Sequence, residues 1–84
     1  MNGNQFKAIR EQLGLSQEEL SLVLGLSGKQ AVSNIETGFR NASRLSMALM
    51  RIFVDLPERR SKELREMLLV HLKRQQSSLA KERK

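Results

Sequence analysis

The chain has no cysteine, no tryptophan and no tyrosine, and only one proline and one histidine. Each absence closes off a kind of chemistry. Without cysteine there is no disulfide framework, no thiolate metal site and no sulfur nucleophile. The lone imidazole, His71, stands in a Leu/Met-rich segment with no second ligand near it in sequence. Nearly all of the acidic residues fall at helix starts or on polar faces, and no glycine-rich phosphate loop is present. No catalytic residue, metal site, cofactor or small-molecule ligand is therefore expected. No apolar run approaches a membrane span or a signal-peptide core, so the expectation is a soluble cytoplasmic protein with no membrane partner.

What is present is a basic, helix-patterned chain of 84 residues, enough for one small domain. Its net charge of +6 is unevenly spread. Residues 73–84 hold five Lys/Arg against Glu82 alone, whereas residues 1–72 carry ten Lys/Arg and eight Asp/Glu. The division expected is a folded domain over 1–72 and a short, basic, disordered tail over 73–84. Such a tail suits contact with nucleic acid or a merely solvated end, and composition does not choose between them.

Apolar residues recur at helical and not at strand spacing, and five helices account for them. The first spans about residues 4–13, with Phe6, Ile9 and Leu13 on one face and Gly14 as its stop. "SQEE" opens the second, where Ser16 and Glu19 make a capping box; Leu20, Val23 and Leu24 face inward and Gly25 ends it. For the third, Ser27-Gly28-Lys29-Gln30 fits the same box, and Ala31, Val32 and Ile35 share a face before Gly38. A polar loop, "FRNASR", leads to a fourth helix from about residue 42, with Leu45, Ala48, Leu49 and Ile52 expected inward. Asp55 and Glu58 form a third capping pair around Pro57, and the fifth helix runs over about residues 57–72. Met47, Met50 and Met67 fall at core-like spacings and read as packing.

Two short helices joined by "LGLS", the second with a polar outer face, are the parts of a helix-turn-helix. Together with "IREQLGLSQEEL" before and "VSNIETGFRNAS" after, residues 6–53 resemble the Cro/C1-type (XRE-like) helix-turn-helix family. The resemblance implies an all-α fold: a compact four-helix Cro/C1 repressor-like domain, to which the fifth helix and the basic tail are added. It also implies a structural ion pair between Arg10 and Glu36. Gln17 would then donate to a DNA phosphate from a helix N-terminus, and the loop would lie along the phosphate backbone through Thr37, Arg40, Asn41, Ser43 and Arg44. Two departures stand out. Ala42 occupies a position where proline is common in the family, and Gly25 to Glu36 spans eleven steps where ten are usual. The extra residue, near Gly28, is absorbed by the turn or by the first turn of the third helix, and it bears on the aim of that helix.

At 100° per residue, Gln30, Ser33 and Thr37 point away from the apolar face of the third helix, with Lys29 and Asn34 flanking them. Lys29, Gln30, Ser33 and Asn34 are the candidate base readers. Lysine suits guanine O6 and N7, and Gln or Asn suits adenine N6 and N7. Two of them also have a plainer role: Lys29 solvates the helix start and Gln30 completes the capping box.

One recognition helix reads few base pairs, so a homodimer on a palindromic operator is expected. The stripe Leu64, Met67, Leu68, His71 and Leu72 on the fifth helix is the candidate interface, although it also suits covering the core. The function expected is a sequence-specific transcriptional regulator, a repressor or autoregulator of bacterial or phage type, bound to double-stranded DNA at the nucleoid. Two other readings stay open. One is an antitoxin or other protein-binding module for which DNA is secondary. The other is a non-specific nucleic-acid binder driven by the tail.

Overall fold

A computed structural model of the chain describes residues 1–82, with side-chain surroundings through Lys73. Five helices follow one another: α1 (Gly3–Gln12), α2 (Gln17–Val23), α3 (Lys29–Glu36), α4 (Arg44–Asp55) and α5 (Glu58–Glu82). No strand occurs among the described residues, so the fold is all-α. α1 packs against α3 and α4, α2 against α3 and α5, and α4 against α5. They enclose a core of Phe6, Leu13, Leu20, Val23, Val32, Ile35, Met50 and Phe53.

Local signals explain most of the helix ends. Ser16 Oγ accepts from Glu19 N at 3.0 Å, and Glu19 Oε1 accepts from Ser16 N at 2.8 Å. The Ser16 amide that donates to the carboxylate, with the Ser16 hydroxyl beside it, favours the ionised form and holds the Glu19 carboxyl below its ordinary value. An equivalent box, not read from the sequence, opens α1: Asn2 Oδ1 accepts from Gln5 N at 2.8 Å and Gln5 Oε1 from Asn2 N at 2.9 Å. α1 and α2 both close in Schellman motifs. Leu15 N donates to Arg10 O at 3.2 Å and Gly14 N to Glu11 O at 3.0 Å; Leu26 N donates to Ser21 O at 2.8 Å and Gly25 N to Leu22 O at 3.3 Å. In each motif the residue after the glycine, Leu15 or Leu26, folds back against the core.

Five expectations are corrected. The box at Ser27 does not form, because Gly28 is itself the N-cap of α3. Ser27 then lies one residue outside the cap and Gln30 in the second helical position, so neither side chain meets its intended amide. Asp55 does not cap α5 but ends α4. Pro57 drives the preceding Leu56 into extended backbone (ψ 149°), which stops α4, and Ser61 N donates to Pro57 O at 2.9 Å as α5 begins.

The third correction concerns the inward face of α4. Ser46, Met50 and Phe53 are buried and Leu49 is half-buried, whereas Ala48 is exposed, Leu45 is 69% exposed and Ile52 43%. Apolar residues cover most of the circumference of α4, so periodicity alone admits either face; the bulk of Met50 and Phe53 fills the space beside Phe6. Met67 likewise lies outside the core, at 59% exposure.

Finally, α5 does not end near Leu72 but continues to Glu82, through most of the segment expected to be a disordered tail. That segment contains neither Gly nor Pro and is rich in Lys, Arg, Gln, Ala and Glu, all good helix formers. Arg83 and Lys84, also assigned to the tail, lie outside the described residues.

Candidate nucleic-acid interface

The position of α3 is set by a polar cluster at its C-terminal end. Glu36 is buried, and its carboxylate accepts from Arg10 Nε at 2.5 Å, Arg10 Nη2 at 3.3 Å and Gln17 Nε2 at 3.0 Å. Arg10 Nη1 also donates to Leu15 O at 2.8 Å. One carboxylate thereby joins the end of α3 to α1 and to the first residue of α2. A buried charge of this kind is tolerable only with its lone pairs filled, and here several donors fill them. Arg10, satisfied within the fold, is not a free surface cation.

A second constraint acts through backbone. A Cβ placed on Gly3 would stand 2.5 Å from Glu36 O and 2.7 Å from Ile35 O, far inside contact distance. The first turn of α1 therefore rests directly on the last turn of α3, and glycine is what permits the approach.

Held in this way, α3 buries Ala31, Val32, Ile35 and Glu36 and leaves Lys29 and Gln30 exposed, with Ser33 and Asn34 half-exposed. Gln30 and Asn34 are linked: Gln30 Nε2 donates to Asn34 Oδ1 at 3.0 Å, one turn along the helix. The pair keeps the Gln30 carbonyl and the Asn34 amide free, one acceptor and one donor on a common edge. Freed from capping, Gln30 belongs wholly to this edge.

The remaining residues named from the sequence border α3. Thr37, Arg40, Asn41, Ser43 and Arg44 are all exposed. Thr37 Oγ1 donates to Asn34 O at 3.3 Å. Ser43 caps α4, its Oγ accepting from Ser46 N at 3.0 Å, and its hydroxyl proton stays available to an outside acceptor. Gln17 spends one amide proton on Glu36 and keeps the other, beside the free amides at the start of α2. The described part of the molecule thus places two cations and several neutral donors next to a polar helix edge, an arrangement that can take phosphates beside base edges.

The α5 stripe divides. Leu64 and Leu68 pack against the core, and Leu72 lies against the turn at Gly25, where its Cδ2 is 3.3 Å from where a Cβ would stand. Met67 and His71 face outward, with Val70 at 49% exposure beside them. Arg65 and Ser61, which the stripe did not include, are buried; Arg65 is held by Glu58 at 2.9 Å and by Ser61 O at 3.2 Å. One exposed residue in the loop also escaped the sequence reading, Phe39, at 85%. The signal for it was a single aromatic in an otherwise polar loop.

Two short helices joined by a Schellman turn, the second pinned with its polar edge outward, define a helix-turn-helix DNA-binding domain. The chain belongs to the Cro/C1-type (XRE-like) helix-turn-helix family, whose model matches residues 6–50, more than half of the chain. No curated protein and no solved structure matched in the same comparisons. None of the helices in the described residues is long and apolar enough to cross a membrane.

Proposed function

We propose that the protein is a sequence-specific transcriptional regulator, a repressor or autoregulator, that occupies a palindromic operator as a homodimer. The observation that carries this reading is the linked pair Gln30–Asn34 on the outer edge of an α3 anchored through Glu36. Base reading needs polar groups that are preorganised as well as exposed, because a side chain ordered only on binding loses part of the gain. Lys29 and Ser33 extend the edge. Gln17, Thr37, Arg40, Asn41, Ser43 and Arg44 are assigned to the phosphates that set its register.

Dimerisation is the second part of the proposal. Among the described residues, Leu45 and Ile52 on α4 and Met67 and Val70 on α5 are exposed apolar side chains, and with the exposed His71 they are assigned to the pairing surface. Leu64, Leu68 and Leu72, also on the candidate stripe, are half-buried and engaged with the core or with the turn at Gly25. Selection of bound duplexes from random DNA, followed by footprinting, tests the whole reading. A two-fold symmetric site with half-sites about one helical turn apart is the expected result. Recovery of unrelated sequences would remove sequence-specific regulation.

A further inference from the structure

The ends of α1, α2 and α3 all carry glycine followed by a large apolar residue: Gly14-Leu15, Gly25-Leu26 and Gly38-Phe39. In the first two, the apolar residue donates its amide to the carbonyl four residues before the glycine and packs on the core. The third end breaks this rule. Gly38 N donates to Ile35 O at 3.2 Å as expected, but the carbonyl of Asn34 takes its bond from Arg40 N, at 3.0 Å, and not from Phe39. The chain is displaced by one residue, and the ring that would fold inward stands 85% exposed.

Its neighbours Thr37, Arg40, Asn41 and Arg44 are exposed, polar and in two cases cationic. A second copy of this surface would bring like charges together around the ring. A nucleic-acid strand offers the opposite: anionic phosphates for Arg40 and Arg44, alternating with apolar deoxyribose. We infer that Phe39 is a DNA-contacting residue that packs its ring on the deoxyribose of the backbone strand held by Arg40 and Arg44. The inference rests on the DNA-binding reading above and adds an apolar, sequence-independent contact to it. The Arg40–Asn34 bond ties that contact to the base-reading edge, since Asn34 belongs to both.

The chain contains no tryptophan, so Phe39→Trp provides a single indole reporter. Acrylamide quenches it strongly in the free protein and weakly when a duplex recovered by selection is saturating. Equal quenching with and without that duplex overturns the inference, as does protection already present in the free protein, which would mean that another copy covers the ring. Phe39→Ala weakens binding roughly tenfold or more on both the selected duplex and a scrambled one. Because no counterion is released by an apolar contact, the salt dependence shifts in parallel without a change of slope. A loss confined to the selected duplex would make the contact a base and not a sugar, and a changed slope would make it electrostatic; either overturns the assignment. The melting temperature of Phe39→Ala stays at the wild-type value, as its exposure requires. If the unaltered protein binds no duplex, the regulator reading falls and this inference with it; if it binds and Phe39→Ala binds equally well, only this inference falls.

Discussion

Arg10 and Glu36 meet at 2.5 Å with side chains only 12% and 4% exposed, and between them they connect three of the five helices. A solvated surface pair contributes little, but here removal of either partner strands a charge away from water.

Arg10→Ala and Glu36→Ala are each expected to destabilise the fold by about 3–5 kcal/mol. Chemical denaturation checks the size. The double variant should cost clearly less than the two single losses added together, because it leaves no unpaired charge. Strict additivity would show that the two side chains act independently.

Gly3 supports the same junction by its lack of a side chain. In a helix, alanine is favoured over glycine by about 0.5–1 kcal/mol, which by itself would make Gly3→Ala stabilising. The carbonyls of Glu36 and Ile35, however, stand 2.5 and 2.7 Å from the new methyl and belong to backbone. Overpacking of about 1–3 kcal/mol outweighs the propensity gain. A lowered melting temperature is expected, with weaker DNA binding as α3 shifts; a raised one would refute the contact.

Base reading and phosphate contact separate by their dependence on sequence and salt. Gln30→Ala should weaken the selected duplex by roughly 1–3 kcal/mol and scrambled DNA hardly at all. Arg40→Ala should weaken both similarly and lower the salt slope by about one. Titrations at several salt concentrations decide it. Exchange of the two patterns would reassign both residues.

The depressed Glu19 carboxyl predicts a small dependence of stability on pH. A carboxylate held below its unfolded value stabilises the folded state above that value, and the contribution is lost as the pH falls through 4.5 and below. Glu19→Gln should therefore be less stable than the wild type at neutral pH and approach it in acid. Denaturation profiles that stay parallel from neutral to acid pH would rule out the linkage.

Much of the helical layout was legible along the chain. Ser16 with Glu19 marks the start of α2, and Gly14, Gly25 and Gly38 follow helix ends, because capping and left-handed turns depend on residues a few positions apart. Failures came where two local solutions were nearly equal. "SGKQ" reads as a capping box with Ser27 at the N-cap or as a helix beginning after Gly28, and the folded chain takes the second, with Ser27 left outside. α4 is apolar on most sides, so its sequence does not say that Leu45 and Ile52 stay outside while Met50 and Phe53 turn in.

The sequence alone determined an all-α chain and its helix-turn-helix, since these follow from short-range periodicity and local start and stop signals, while the pairing of Arg10 with Glu36 and the role of the cationic loop were implied by the resemblance to the Cro/C1-type family. Tertiary structure decided what each group is free to do. It committed Gln17 in part to Glu36, released Gln30 from capping to pair with Asn34, and divided the α5 stripe between the core and the surface. It also turned Phe39 outward, through a hydrogen bond taken by Arg40 in its place. The physical reason is the same throughout. A donor or an apolar surface can be used only once, and which partner takes it depends on distances that exist only after the helices have packed.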